Sequence, residues 1–290
     1  MTEKVALIGA GAMGHAIGTR LLATDHSLAV FDLDRARVQA LVDLGAIAAT
    51  SAADAATHAE VIVLSLNNAS IVDQAVFGEG GVAQAAAADT LIIDMSSIAP
   101  DATRELASRA ADKSLHWVDS PLSGGAPKAL TGSLTLMLGG SESAATRAQK
   151  FLQALSDNCT HMGPVGAGQT TKLINQVLCG LGFVAIAEAT KLAQDAGVDA
   201  AKIPGALKGG RADSALLQEY MPRYANKDYA PTGRIDNMVK DLDSAQALAR
   251  STGTAMPLSA LCAELHRFMA TAGYGAEDQA MMMEYWRARE

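Results

Sequence analysis

Short apolar runs stopped by small or acidic residues recur through the first half of the chain. "KVALIG", "SLAVFD", "EVIVLSL", "TLIIDMSS", "LHWVDS" and "LTLMLGG" are rich in Val, Ile and Leu and end at Gly, Asp or Ser. Nearly continuous apolar runs of that length suit strands covered on both faces, as in a parallel sheet. Between them lie amphipathic segments such as "DRARVQALVDLGA" and "ESAATRAQKFLQAL", and "AQAAAA" reads as an alanine-rich helical fragment. Strand–helix alternation predicts an open α/β sheet with right-handed crossovers.

Past about residue 164 the strand pattern gives way to a helical one. A long helix is predicted from about 168 to 196, followed by helices at "AKIPGAL", "SALLQEYMPRY", "IDNMVKDLDSAQALARS", "LSALCAELHRFMATAG" and "EDQAMMMEYWRA". Turn signals such as "KGGRAD" and "YAPTG" separate them. The first helix, at 1.5 Å per residue, is about 42 Å long and joins the two halves. The predicted organisation is an α/β domain with a parallel-sheet core over residues 1–163 and an all-α domain over 164–290.

Composition narrows the class. The 290 residues suit two domains, and 49% hydrophobic with 19% charged residues is an ordinary globular balance. The formal charge of −8, with scattered basic residues, argues against a nucleic-acid surface, which needs a concentrated positive face. Cys159, Cys179 and Cys262 are odd in number and far apart, which fits neither a disulfide framework nor zinc spacing and points to a reducing compartment. The six histidines show no metal spacing, so no metal is expected. The first residues lack a signal-peptide pattern, and the uncharged stretch after Lys172 falls short of the ~20 residues of a membrane span, so a cytoplasmic, membrane-free protein is expected.

"KVALIGAGAMGHAIGTRLL" places Gly9, Gly11 and Gly14, with Ala12 and Met13 between them, directly after a strand and at a helix start. This spacing suits a tight turn, a close approach of backbone to a pyrophosphate, and helix–strand packing, the signature of a dinucleotide-binding Rossmann-type domain. Asp32 ends the second strand, where a carboxylate accepts from a ribose 2′-OH and repels a 2′-phosphate. Asp34 adds to the repulsion, so NAD is favoured; NADP stays open because Arg35 or Arg37 can fold toward a phosphate. The bland alternative is a structural turn with a solvated aspartate.

Lys172 is the sole formal charge between Asp157 and Glu188, and the helix that follows reads as one meant for burial. Burying an unpaired ammonium is costly, so its presence needs a reason. Gly168, Lys172, Asn175 and Cys179 fall on one helical stripe, with Gly168 leaving room beside the lysine. Two readings stand on the residues alone: a lysine snorkelling at a helix start, or a functional amine.

Four blocks in order carry a resemblance. They are "GAGAMG"; "DSPLSGGAPKALTG", residues 119–132, with Asp119, Pro121, Ser123, Gly124, Gly125, Ala129 and Gly132 at the matching positions; "GQTTKLIN" with Gly168, Lys172 and Asn175; and "KDLDSA" with Lys240 and Asp241. "DMSSIAP" matches a further segment, near the nicotinamide ribose, through Ser97. The chain resembles, over essentially its whole length, the β-hydroxyacid dehydrogenases, the group of 3-hydroxyisobutyrate dehydrogenases and 2-hydroxy-3-oxopropionate (tartronate semialdehyde) reductases. The resemblance implies hydride transfer between NAD(H) and a small β-hydroxy carboxylic acid. Lys172 would be the general acid/base, with a pKa lowered by desolvation, and Asn175 would position substrate and lysine. Ser123, Gly124, Gly125 and Gly168 would bind substrate. Gly9, Gly11, Ala12, Met13, Gly14, Asp32, Leu66, Asn67, Ser97 and Lys240 would line the cofactor, Lys240 adding positive potential. A homodimer or homotetramer is expected from helices apolar on more than one face.

Departures touch the pocket. Asn67 follows Leu66 where relatives often have Pro, which leaves a ribose contact or a polar turn. Gly233 replaces a frequent aromatic, so either the pocket is reshaped and Arg234 enters it, or the glycine is a turn residue. Candidate substrates are 3-hydroxyisobutyrate, tartronate semialdehyde, L-threonate and serine-like acids. Rival readings are an imine reductase of the same fold, which usually lacks the lysine, and a non-catalytic dinucleotide-binding protein. The methionines of "QAMMMEYW" are expected at a subunit or domain contact.

Overall fold

The computed structural model describes residues 3–24 and 26–287. Its strands are β1 (Lys4–Ile8), β2 (Ser27–Phe31), β3 (Ile47–Ala48), β4 (Val61–Leu64), β5 (Leu91–Asp94), β6 (His116–Asp119), β7 (Leu122–Ser123), β8 (Thr135–Gly139) and β9 (Asn158–Gly163). They form one sheet ordered β3-β2-β1-β4-β5-β6-β8-β7, with β9 on β8. The pairs from β3 to β6 are parallel, the doubly wound order whose direction of travel reverses between β1 and β4. Ligands of such sheets bind at that reversal, beyond the carboxyl ends of the strands. All six expected strands are present; β8 runs antiparallel to β6 and β7, and β9 runs parallel to β8.

Alternation along each strand divides the apolar residues between two faces. Leu7, Val63 and Ile93 pack with Ile17, Leu41 and Phe151 of α1 (Ala12–Leu22), α2 (Arg35–Val42) and α7 (Glu142–Leu152). Ile8, Ile62 and Ile92 pack against Ala55, Val76 and Leu106 of α3 (Ala52–Ala56), α4 (Ala69–Phe77) and α5 (Pro100–Ala111). A short α6 (Gly125–Thr131) follows β7. "AQAAAA" is not an α-helix: only Val82–Gln84 make a 3₁₀ turn, and the chain then turns back at Asp89, whose φ is 64°, into β5. Alanine's helical preference is too weak to hold so short a stretch against a required return to the sheet.

The chain divides into two compact units, Met1–Lys172 and Leu173–Glu290, with α8 (Ala167–Asp195) running through the division. Its 29 residues match the predicted long helix. The second unit adds α9 (Ile203–Leu207), α10 (Ala215–Asn226), α11 (Ile235–Thr252), α12 (Pro257–Met269) and α13 (Glu284–Arg287). Its core joins Phe183, Tyr220, Tyr224, Leu242 and Met283, while Met282 packs on Ile235 and Met269. Those methionines therefore pack inside the unit rather than at a contact beyond it. The predicted last helix is a 3₁₀ turn, Gln279–Met283, leading into α13, and its final residue, Ala288, lies outside the described residues.

Asp278 is the polar hub of this unit. Fully buried, its carboxylate accepts from the N–H groups of Thr232 (2.6 Å), Gly233 (2.8 Å) and Ala280 (2.9 Å) and the Thr232 hydroxyl (2.9 Å), and pairs with Arg223 at 3.0 Å. A buried charge is tolerable only when paired and hydrogen-bonded to this extent.

By length and composition α8 is the one described helix apolar enough to cross a membrane, contrary to the shorter stretch expected from sequence. Leu173, Phe183, Ile186 and Ala187 are nonetheless buried in protein, as in a core helix. The helix is not buried all round, however: Ile174 is 56% and Leu178 66% exposed.

Candidate active site

The glycine loop follows β1 at the sheet's reversal point. Gly9 has φ +97°, and a Cβ there would stand 2.3 Å from the Ser65 carbonyl oxygen; one on Gly14 would stand 2.0 Å from that of Gly9. Gly11 is different, since its Cβ direction is open but for Arg37 Nη1 at 3.9 Å. These are the three jobs the spacing predicts: turn, open approach and close packing. The helix that starts here, α1, has no side-chain cap. The N–H groups of its first turn and the positive end of its dipole are therefore available to an anion.

Asp32 stands beside this loop with its carboxylate fixed by backbone. Oδ2 accepts from the Ala10 N–H at 2.7 Å and Oδ1 from the Asp34 N–H at 2.8 Å. Arg37 is paired with Asp34 at 3.2 Å and half exposed. Open glycine backbone, uncapped helix start and fixed carboxylate together fit a dinucleotide. Asn68 caps α4 through the Ile71 N–H at 2.9 Å, and Asn67 stands exposed just before it.

At the carboxyl ends of β5 and β6 stand two fully buried carboxyls, Asp94 and Asp119, partners in the parallel register. Asp119 accepts from the N–H groups of Gly166 (2.8 Å) and Gln169 (2.9 Å), and so anchors the start of α8 from outside the helix. The approach is close: a Cβ on Gly168 would stand 2.3 Å from the Met137 carbonyl oxygen and 2.8 Å from Asp119, and one on Gly139 would stand 2.5 Å from Asp119. The room expected beside Lys172 at Gly168 is thus filled by protein, and packing is the reason for the glycine. Burial pushes the Asp119 carboxyl up against the pull of these N–H groups, and pushes Asp94 up to about 7.

Gln169, 1% exposed, went unremarked in the sequence. Its Nε2 donates to the Ser96 carbonyl at 2.7 Å, and its Oε1 accepts from the Ile98 N–H at 3.4 Å. The Ser96 hydroxyl oxygen accepts from the Leu66 N–H at 3.0 Å. Leu66 and Ser97, both expected at the cofactor, are therefore tied into the same network, and Ser97 is the residue of segment 95–98 that reaches the surface. The one sequence signal for this arrangement is that "SLAVFD", "TLIID" and "LHWVD" all end in Asp.

Lys172 lies one turn beyond Gln169 and is half-buried rather than engulfed, which corrects the expectation of a helix closed around its ammonium. β7, which carries Ser123, lies on β8, the strand against which Gly168 packs. Gly124 follows at φ +122°, where its Cβ would stand 2.6 Å from Lys128 Cδ.

In the second unit Asn175 donates through Nδ2 to Gln176 Oε1 at 3.0 Å. Gln176 Nε2 donates to Asp241 Oδ2 at 2.7 Å, and Lys240 pairs with Asp241 at 3.4 Å. Sequence reading placed Asn175, Lys240 and Asp241 in motifs but not the amide that links them. Arg234 does not turn inward: it is exposed and paired with Asp236, and the Cβ direction of Gly233 is open.

Residues 4–163 match the family model described as the NAD binding domain of 6-phosphogluconate dehydrogenase. Residues 166–286 match that described as NAD-binding of NADP-dependent 3-hydroxyisobutyrate dehydrogenase. Among curated relatives, a 2-(hydroxymethyl)glutarate dehydrogenase of Eubacterium barkeri is 32% identical, covering 98% of this chain and 94% of the relative. A 3-hydroxyisobutyrate dehydrogenase of Pseudomonas aeruginosa is 34% identical, covering 94% and 93%. The solved structure of Mycobacterium tuberculosis 3-hydroxyisobutyrate dehydrogenase with L-serine matches with TM-score 0.90 at 28% identity, covering 99% of this chain and 100% of that one. With the glycine loop, Asp32 and the full run of motifs in place, the chain belongs to the β-hydroxyacid dehydrogenase family and is an NAD(P)-dependent oxidoreductase.

Proposed function

We propose that this protein interconverts a small anionic β-hydroxy carboxylic acid and its aldehyde or ketone, with NAD as the preferred cofactor and Lys172 as the general acid/base. The observation that carries the reading is the anchoring of α8 by Asp119, which sets Lys172 one turn beyond the carboxyl ends of β5 and β6. Bound nicotinamide supplies the acceptor for hydride from the carbinol carbon. The N–H groups of Ala12, Met13 and Gly14, past the open face of Gly11, would hold a pyrophosphate, and Asp32 would accept from ribose hydroxyls. Leu66, Asn67 and Ser97 would line the ribose and nicotinamide. The Ser123 hydroxyl and the N–H groups of Gly124 and Gly125 take the substrate carboxylate. As oxidation proceeds, the hydroxyl proton passes to Nζ of Lys172; in the reverse direction the ammonium returns a proton to the forming alkoxide. Asn175, oriented through Gln176 and Asp241, positions substrate, and Lys240 contributes positive potential in a protein of net charge −8.

Residues 1–163 serve as the cofactor domain and 164–290 as the substrate and oligomerisation domain of a cytoplasmic homodimer or homotetramer. Exposed apolar stripes on α8 (Ile174, Leu178, Leu192) and α12 (Leu258, Leu261, Phe268) support self-association.

The test is NADH formation over a panel of 3-hydroxyisobutyrate, L-threonate, L-serine and, with NADH in the reverse direction, tartronate semialdehyde, wild type beside Lys172→Ala. Turnover falls roughly 10²–10⁴-fold in the variant, the usual worth of an acid–base group, with NADH affinity retained. A variant as fast as wild type removes Lys172 from the mechanism.

A further inference from the structure

A buried glutamine side chain is tolerated when both ends of its amide find partners, and each partner it chooses fixes a distance in the fold. Gln169 chooses two groups that bracket one residue. Its Nε2–H donates to the carbonyl of Ser96 and its Oε1 accepts from the N–H of Ile98, so Ser97 is held between them. The same residue's own N–H is bonded to Asp119, and Lys172 lies three residues further along the same helix.

We propose that Gln169 is a positioning residue for proton transfer: its amide clamps the loop carrying Ser97 to the first turn of α8 and thereby sets the separation between Ser97 and the Lys172 amine. This rests on the reading of Lys172 as acid/base and of Ser97 as a nicotinamide-ribose contact.

Simple anchoring of the helix does not account for the side chain. The start of α8 already has two bonds to the Asp119 carboxylate, and Gly139 and Gly168 let the backbones close around it. What Gln169 adds is a link to one loop only. That loop is stiff on its other side as well, since the Ser96 hydroxyl holds the Leu66 N–H and the Ser96 N–H donates to Asp94 Oδ1 at 3.0 Å. Leu66, Ser97 and Lys172 are therefore placed by one connected set of bonds, with the Gln169 amide as its bridge to the helix. Proton transfer to a reacting oxygen depends steeply on such spacing, and a misplacement of about 1 Å can cost on the order of 10²-fold in rate.

Gln169→Met keeps the length and apolar volume and removes both bonds; Gln169→Glu keeps the acceptor for Ile98 and removes the donor to Ser96. Each variant is assayed as the full chain for kcat and KM, for NADH affinity by fluorescence titration, for thermal midpoint, and for the isotope effect with substrate deuterated at the carbinol carbon. For Gln169→Met the expected result is a kcat loss of about 10–100-fold with NADH affinity within about 3-fold of wild type. Gln169→Glu should fall between the two, with the pH profile of kcat displaced in both variants. Unchanged kcat, or a kcat loss matched by an equal loss of NADH affinity, overturns the inference. If Gln169→Met does not fold, Gln169→Glu decides by the same criteria. Lys172→Ala run alongside separates the two failures: a fully active Lys172→Ala sinks the acid–base reading, whereas an inactive one beside a fully active Gln169→Met sinks only the clamp.

Discussion

Asp94→Asn should remove one large source of the pH dependence of the first unit's stability. Asp94 ends β5, is fully buried, and has one carboxylate oxygen bonded to the Ser96 N–H at 3.0 Å, while Oδ2 finds no hydrogen-bond partner among the described residues. Burial is the main reason its carboxyl is pushed from 3.8 up to about 7, with the neighbouring Asp119 charge pushing the same way against the Ser96 hydrogen bonds. The unfolded chain gives up this proton near 3.8, whereas the folded chain holds it to about 7. Between those values the folded state binds more protons, so rising pH erodes stability; the benefit is complete below 3.8 and gone above about 7. A shift of this size corresponds to on the order of 4 kcal/mol across the whole window at about 1.4 kcal/mol per pH unit. The substituted amide keeps an acceptor for the Ser96 N–H and carries no titration. Urea unfolding at pH 5, 6, 7 and 8, read by the fluorescence of buried Trp117 on the adjacent strand, measures the difference between variant and wild type, in which all other groups cancel. That difference should climb in favour of the variant from pH 5 to 7, at up to about 1.4 kcal/mol per unit, and then level off. A difference that does not vary with pH refutes the reasoning.

Asp32→Ala removes the acceptor for a ribose hydroxyl and for the Ala10 N–H, and the ratio of kcat/KM for NAD over NADP should fall about 10–100-fold, the worth of a charged hydrogen bond. An unchanged ratio would falsify the assignment of NAD preference to this carboxylate. In the α12 stripe, Phe268 is 56% exposed, and Phe268→Glu should lower the mass found by light scattering while the circular dichroism of the fold is kept. A wild type already monomeric removes that stripe from self-association.

Much of this architecture was legible because it is written in repeating patterns. Six apolar strands, the long helix and the glycine loop each carry a period or a spacing that one sequence displays. What escaped lacks that redundancy. β9, "NCTHMG", alternates exposed and half-buried at the sheet's margin, so it carries no apolar run to announce it. "AQAAAA" has helical composition but sits where the chain must turn. Gln169 reads as an ordinary polar residue at a helix start, and only the fold reveals that this side of α8 is covered by the Ser96 loop. The apolar positions at 174 and 178 made α8 look engulfed, although they face outward in the chain. Gly168 stood out for space that packed backbone in fact occupies. Motifs mark the candidate positions; the bonds that hold them in place come from tertiary contacts that no spacing encodes.

The buried Asp278 has a consequence for biosynthesis. The Thr232–Gly233 turn, Arg223 and the Met282–Met283 layer all depend on residues 278–283. On a ribosome, where amino-terminal units fold first, the nucleotide-binding half can close as soon as β9 and the head of α8 have emerged. The helical half instead leaves the Thr232–Gly233 turn without its carboxylate and an apolar layer open until residues 278–283 leave the exit tunnel, which makes this interval the one in which a nascent chain is most exposed to misfolding and to chaperone capture.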